Sequence, residues 1–336
     1  MEILLDWFGH PEKNFLSIII AGTKGKGSTG FFLESILSEA GIRTGYYHSP
    51  HLMEATERIR LEGASIPKSE WTRILSQIKF ELRRKKLSSR LGGFTYFEIL
   101  TLLAMLYFAQ KKVKIGIFEV GMGGRLDATN VVKAPLAILT PISFDHEAAL
   151  GNTLTRIAGE KAAVIHRASH VVTGAQPQEA MTVIEKRIRS MHARLWKALP
   201  ARRPLGLYGD FQQLNAGLAL KAVEILKNYY GVGISSAAIK KGLNYSNWMG
   251  RWELLKTKPQ ILLDAAHNPA SIEALVRNLK KIYPKKKRLL IFAISKDKNS
   301  PAILKKLSSY FSDVILTGFL SPRARVVGSP LEQAHG

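Results

Sequence analysis

Apolar positions along this chain alternate between two rhythms. Short unbroken runs, "FLSIIIAG" (15–22), "KIGIFEV" (114–120), "PLAILT" (135–140) and "HVVTG" (170–174), have the length and β-branched content of strands buried on both faces. "RTGYYH" (43–48) reads as a further short strand. Between them the apolar residues take helical spacing. It predicts one helix from Ser28, two over roughly 68–86 and 96–111, one near 154–165 and one from Pro177. Thr95 with Glu98 three residues on is a capping box for the second of that pair. "SPHLMEATERIRLEGASIP" (49–67) reads as a long polar loop. Strands and helices of these lengths in alternation predict an α/β fold, a mainly parallel sheet wrapped by helices. Ligands of such sheets gather beyond the carboxyl ends of the strands.

A polar stretch with proline and arginine, "LPARRPLGLYGD" (199–210), precedes the helix "FQQLNAGLALKAVEILKNYYG" (211–231). After "NYSNWMGR" (244–251) a second alternating set begins, with "WELLK", "QILLDAAHNPASIEALVRNLKK", "RLLIFAISKDK", a helix and "DVILTG". A chain of 336 residues is long for one core. The expected division is a domain over 1–250 and a smaller one over 251–336. There is no internal repeat, and the stretch after Gly318 has no clear periodicity.

Composition narrows the classes. With no cysteine the chain has no disulfide framework, thiolate metal site or cysteine nucleophile. "MEILLDWFGHPEKN", with its acids, histidine and proline, does not read as a signal peptide, and the longest apolar stretch, 97–109, is too short for a membrane span and holds Glu98. A cytoplasmic protein is the expectation. Forty-nine Lys and Arg against 26 Asp and Glu give a formal charge of +23. That charge fits nucleic acid, or else a basic organism or anionic small substrates, with most lysines simply solvated. "RRKK" (83–86) and the basic run at 280–288 sit at predicted helix ends, where the helix dipole alone favours them. No zinc-finger spacing or aromatic RNA-binding signature accompanies the charge, so no nucleic-acid partner is expected.

Five places carry residues suited to chemistry. "AGTKGKGST" stands between a strand and a helix, where glycine-rich backbone and the helix N-terminus favour phosphate. The strict G-x-x-x-x-G-K-[ST] pattern is not met, because Gly27 separates Lys26 from Ser28. The cluster is therefore a damaged phosphate loop, a variant one, or solvated lysines on a turn. Lys26 would reach terminal phosphate oxygens, and Ser28 and Thr29 offer hydroxyls for Mg²⁺. Glu119 ends a strand in "IFEVGMGGRLDATN", either as part of the same rim or as an edge carboxylate paired with Arg125. Asp145 and His146 follow the next strand; a lone histidine is more often structural, but here it would be a third ligand-type group on one rim. Lys161 lies within an apolar helical stretch, where a lysine usually snorkels to water. "ILLDAAHNP" puts Asp264, His267 and Asn268 at another strand end.

Taken in order, "AGTKGKGST", "SPHL" with "ERI", "EVGMGGRLDATN", "DH…LG", "EKAAVI", "NAGLAL", "GRWE" and "DAAHNP" resemble the folylpolyglutamate synthase/dihydrofolate synthase family of the Mur-ligase superfamily. The likeness runs from about Phe15 to Asp297. In that family the loop has the form G-T-[NK]-G-K-G-S, so "GTKGKGS" is an intact variant. The resemblance implies a P-loop Mur-ligase-type domain with a mainly parallel sheet, plus a smaller Rossmann-like C-terminal domain. It implies an ATP-dependent ligase that joins L-glutamate to dihydropteroate or a reduced folate through an acyl phosphate.

By resemblance, Gly22, Thr23, Lys24, Gly25, Lys26, Gly27, Ser28 and Thr29 hold the ATP phosphates, and Asn215, Arg251 and Asp264 lie near the nucleotide. Ser28 and Glu119 hold one Mg²⁺ and His146 a second metal ion. Lys161 matches a lysine carried as a carbamate, and His267 falls in the motif at the nucleotide. Ser49, Pro50, His51, Glu57 and Arg58 belong to the segment that helps place the pterin. A monomer is implied.

Some motifs depart from the family. Ala265 replaces a glycine, Phe211-Gln212 replaces "HQ", and the C-terminal domain reads as shortened. A catalytically impaired ATP-binding remnant, or a Mur-type ligase for another acid, are the alternatives. Whether glutamate is added first to dihydropteroate, to a growing polyglutamate tail, or both, depends on pocket shape.

Overall fold

The computed structural model describes residues 1–85, 93–245, 248–250, 252–266, 269–284, 287–295, 300–308 and 310–318. Contacts divide the chain into two units. The larger comprises Met1–Leu207 and Gln212–Trp248, and the smaller comprises Tyr208–Phe211 with the residues from Met249 on.

The apolar run after Phe15 forms β1 (Leu16–Ala21), buried along almost its whole length. Around it lie β2 (Thr44–Tyr47), β3 (Ile59–Leu61), β4 (Ala64–Ser65), β5 (Ile115–Glu119), β6 (Leu136–Leu139), β7 (His170–Thr173) and β8 (Arg194–Lys197). Their spatial order is β4-β3-β2-β5-β1-β6-β7-β8. From β2 to β8 every pair is parallel, while β3 and β4 turn back antiparallel at one edge. In β1, Ile19 and Ala21 face one core and Ile18 and Ile20 the other, as the two-residue period of a strand requires.

Helices cover both faces. The first core gathers α3 (Lys68–Arg84), α4 (Tyr96–Gln110), α6 (Leu154–Ala162) and α7 (Gln178–Ser190) through residues such as Ile74, Leu102, Ile157 and Ile184. It also takes Leu4 and Leu5 of α1 (Glu2–Trp7) and Leu150 of the short α5 (Glu147–Leu150). The second core gathers α2 (Lys26–Glu39), α8 (Phe211–Tyr230) and α9 (Ser236–Asn244) through Phe31, Ile36, Leu218 and Leu243. The apolar character of α4 on all sides follows from burial over most of its length. The capping box at its start is present, with Thr95 Oγ1 accepting from the Glu98 amide. The parallel β1, β5 and β6 end together on one rim, where Ile20 is in register with both Glu119 and Ile138.

Three features differ from the expectation. The stretch read as a loop over 49–67 contains a 3₁₀ turn (Ala55–Arg58) and the β3–β4 hairpin. Its turn residues Glu62 and Gly63 both have positive φ, the geometry of a two-residue hairpin. Only Ile59 of that hairpin is fully buried, so too little apolar alternation was available to signal a strand. β8 is a four-residue edge strand with an exposed charged residue at each end, and α9 is short, started by Ser235 accepting from the Ala238 amide.

In the smaller unit β9 (Glu253–Thr257) and β10 (Gln260–Leu263) pair antiparallel. There, α10 (Pro269–Ile282), β11 (Leu289–Phe292), α11 (Ser300–Ser308) and β12 (Asp313–Leu316) build a separate α/β layer, with β11 and β12 parallel. Its core is Ile272, Phe292, Ile294, Ile303 and Leu307. Among the described residues no helix is long and apolar enough to cross a membrane.

Candidate active site

At the carboxyl end of β1 the chain leaves through Gly22 and enters α2 at Lys26. Gly25 precedes the helix with φ +86°, a conformation costly for any residue with a Cβ. A Cβ on Gly25 would also collide with Asn215 Oδ1, and one on Gly22 with Thr140. No described side chain caps the first turn of α2, whose leading amides have no partner within the helix. Thr23 and Lys24 are tied instead to the next strand's exit, both amides donating to the Pro141 carbonyl. Thr23 Oγ1 also donates to the Ser143 carbonyl at 3.0 Å.

Two lysines converge on this loop. Lys26 Nζ donates to the Gly22 carbonyl at 3.1 Å, and Lys161 Nζ, from α6, donates to the same oxygen at 3.0 Å. Lys161 is only 3% exposed. Burial, followed by the Lys26 charge, pulls its amine from 10.5 to about 7, against the opposing pull of Asp145 and Asp127. It does not snorkel.

Ser28 and Glu119 are both buried, in the same cradle. Ser28 Oγ accepts from Gln212 Nε2 at 3.2 Å, and Gln212 Oε1 accepts from Asn215 Nδ2 at 2.8 Å. Glu119 Oε2 accepts from the Tyr46 hydroxyl at 3.1 Å, and that hydroxyl lies 3.3 Å from the Gly27 carbonyl. The hypothetical Cβ of Gly27 would sit 3.6 Å from Glu119 Oε2 and 3.7 Å from the Trp248 ring, so carboxylate, loop and indole adjoin. Arg125 is engaged elsewhere, its Nε donating to Glu160 at 2.9 Å. Tyr46, Gln212 and Trp248 escaped the sequence reading as site residues. A tyrosine in a short buried strand and a tryptophan after a loop carry no spacing signal. Gln212 stood only as half of an altered "HQ".

His146 begins α5 with φ +52°, its ring partly exposed and its Nε2 3.9 Å from Asp145 Oδ1. The segment after β2 closes at its base, the His48 amide donating to the Arg58 carbonyl at 2.9 Å. Within it Arg58 Nε donates to His51 Nδ1 at 2.8 Å. Burial and then the Arg58 charge lower His51 below the usual histidine value. Glu57 accepts from the amides of Leu52, Met53 and Glu54, so its carboxylate shapes the loop that carries Ser49 and Pro50. In the smaller unit Asp264 receives the amides of Trp252 and Ala266. Arg251 and His267 lie outside the described residues.

The donor set suits the groups that the resemblance calls for. The uncapped amides of α2, a fully buried and unpartnered Thr29 Oγ1 in its first turn, and two lysines on one oxygen favour an anion such as a triphosphate. The Ser28 oxygen and the Glu119 carboxylate are hard ligands of the kind Mg²⁺ takes. Among the described residues no three His, Asp or Glu side chains cluster as a metal cage.

A glycine-rich, lysine-bearing loop at the carboxyl end of a central strand, in a mainly parallel sheet covered on both faces, is the arrangement of nucleotide-binding α/β enzymes. The family described as Mur ligase, glutamate ligase domain matches residues 250–334. The dihydrofolate synthase/folylpolyglutamate synthase of Bacillus subtilis is 36% identical over 350 residues, covering 96% of this chain and 81% of that protein. The structure of Mycobacterium tuberculosis folylpolyglutamate synthase complexed with ADP and AMPPCP superposes with a TM-score of 0.87 at 32% identity, over 97% of this chain and 80% of that one. A folylpolyglutamate synthase–AMPPCP–folate complex gives 0.87 at 29% identity, over 94% and 83%. The chain belongs to the folylpolyglutamate synthase/dihydrofolate synthase family.

Proposed function

We propose that the chain is an ATP-dependent ligase that forms an amide between L-glutamate and a pterin carboxylate, dihydropteroate or a reduced folate. The observation that carries this reading is the convergence of Lys26 and Lys161 on the Gly22 carbonyl, beside the uncapped start of α2 and the Ser28–Glu119 pair. The complexes of folylpolyglutamate synthases with ADP, AMPPCP and folate support it.

A carboxylate is a poor acyl donor at neutral pH. One of its oxygens attacks the γ-phosphorus of ATP, the bond to the β-phosphate oxygen breaks, and ADP leaves. The glutamate amine then attacks the acyl carbon, phosphate departs with the bonding pair, and the amine loses its proton. Lys26 offsets charge building on the transferring phosphoryl group. The amides of Gly25 to Ser28 hold the phosphates in line, and Asn215 keeps Gly25 in its strained turn. Ser28 and Glu119 would hold Mg²⁺, which neutralises phosphate charge when bound. Tyr46 fixes the Glu119 carboxylate. The His51–Arg58 pair offers positive charge and an imidazole on the rim for the pterin acid. His146 would serve a second metal ion. Arg251 and Asp264 would serve the nucleotide, and His267 would act beside it.

With Lys161 lowered to about 7, a substantial fraction of its amine is neutral near neutral pH, and only a neutral amine adds to CO₂. We assign it as the carbamylated lysine, losing one proton and gaining a carboxylate. The formal +23 suits substrates that are all anions. The enzyme works as a cytoplasmic monomer in this reading.

The acyl-phosphate step is tested with pterin acid labelled with ¹⁸O in its carboxylate. One labelled oxygen should appear in the released phosphate. Unlabelled phosphate during turnover would refute the route.

A further inference from the structure

Glu12 and Ser17 are buried polar residues far along the fold from the phosphate loop. They line a cavity of about 400 Å³ bounded by α1, the 3₁₀ turn Pro11–Asn14 and the residues just before β6. Leu16 and Pro135, at the amino-terminal ends of β1 and β6, also line it. The phosphate loop leaves β1 at its other end, so a six-residue strand of roughly 20 Å separates the two places. The cavity is no part of the site described above.

Its polar groups are incompletely paired. Glu12 is 8% exposed and Ser17 3% exposed. Glu12 Oε1 is held by His10 Nδ1 at 2.9 Å, and the other ring nitrogen lies 3.1 Å from Asp6 Oδ1. His10 thus fixes the carboxylate. Glu12 Oε2 and Ser17 Oγ have no hydrogen-bond partner, which is unusual for buried oxygens and calls for a ligand group. The volume falls within the range of small-molecule sites.

Chemistry selects the ligand. A carboxylate oxygen only accepts, so the group opposite Glu12 must donate. Glu2 and Asp6 add negative charge at the mouth, and Leu5, Val131 and Val132 supply apolar wall. An anion would face Glu12, and a purely apolar molecule would leave both oxygens unpaired. We propose that this cavity binds a small organic cation, an ammonium or guanidinium group on a short apolar stem, with its N–H groups donated to Glu12 and Ser17. Lys13 and Lys133 are exposed at the mouth, with long side chains free to swing into solvent, and do not close it.

The probe is agmatine, followed by calorimetry and thermal melts of the full chain. Wild-type protein should bind it saturably and melt at higher temperature with it. Glu12→Gln should weaken that binding at least tenfold while circular dichroism stays native. If Glu12→Gln does not fold, Ser17→Ala must weaken agmatine several-fold with the native spectrum kept. Absence of saturable binding to the wild type would overturn the proposal. So would agmatine binding unchanged in a folded Glu12→Gln or, failing that, in Ser17→Ala.

Discussion

Replacing Lys161 by methionine should flatten the pH dependence of stability over a window the structure defines. In the folded chain the amine sits at about 7, lowered by burial and by Lys26, whereas it has its ordinary 10.5 when unfolded. Below about pH 7 both states carry the proton, and the folded state bears the full cost of a buried ammonium. Between 7 and 10.5 the unfolded state holds one proton more than the folded state, so stability rises with pH. Above 10.5 neither is charged and the effect is complete. The whole gap is worth on the order of 5 kcal/mol at about 1.36 kcal/mol per pKa unit. From pH 7.5 to 9.5 the wild type should therefore gain roughly 2–3 kcal/mol relative to Lys161→Met. The assay is urea unfolding of both proteins in CO₂-free buffer without nucleotide, at half-unit pH steps. Differencing against the variant removes groups common to both. Adding bicarbonate near pH 8 should raise the wild-type midpoint and leave Lys161→Met unmoved. Parallel pH curves for the two proteins would refute the buried-amine argument, and bicarbonate effects equal in both would refute the carbamate.

Other substitutions separate loop geometry, metal placement and mere packing. Gly25→Ala adds a Cβ at φ +86° and against Asn215, so MgATP affinity measured by calorimetry should fall at least tenfold; an unchanged affinity would contradict the cradle. Tyr46→Phe removes the hydroxyl from Glu119 Oε2, leaves a buried acceptor short of a donor, and should lower stability by about 1–3 kcal/mol. The same variant should need more Mg²⁺ for half-maximal turnover, and an unshifted Mg²⁺ curve would count against its positioning role. Thr95→Ala breaks the capping box of α4 and should cost about 1 kcal/mol in urea unfolding without changing ATP affinity.

How much of this was legible beforehand depends on where the signal resides. Central strands and the buried α4 announced themselves, because burial on both sides leaves apolar residues no alternative. The turn between β1 and α2 was legible because its glycines mark where the backbone leaves the strand and enters the helix. The β3–β4 hairpin was not, since it buries one residue fully and pairs through backbone atoms that carry no sequence signature. Tyr46 shows the same limit at the site. It lies in a strand buried along its whole length, and only the pairing with β5 brings its hydroxyl to Glu119. Arg125 was a reasonable partner for Glu119 by proximity in sequence, yet the glycine turn carries it to Glu160 on α6. Glu57 is held by three amides of its own loop, a local role that its place in the sequence does not announce.

The most direct test of the central claim is phosphate release by the purified chain with Mg²⁺, ATP and L-glutamate, with dihydropteroate or a reduced folate added separately and Lys26→Ala as control. Release that requires a pterin acid and glutamate, and that Lys26→Ala abolishes while still melting cooperatively, is the expected result. The acid preferred then tells which glutamate is added. Release indifferent to the pterin acid, or undiminished in Lys26→Ala, would contradict the account.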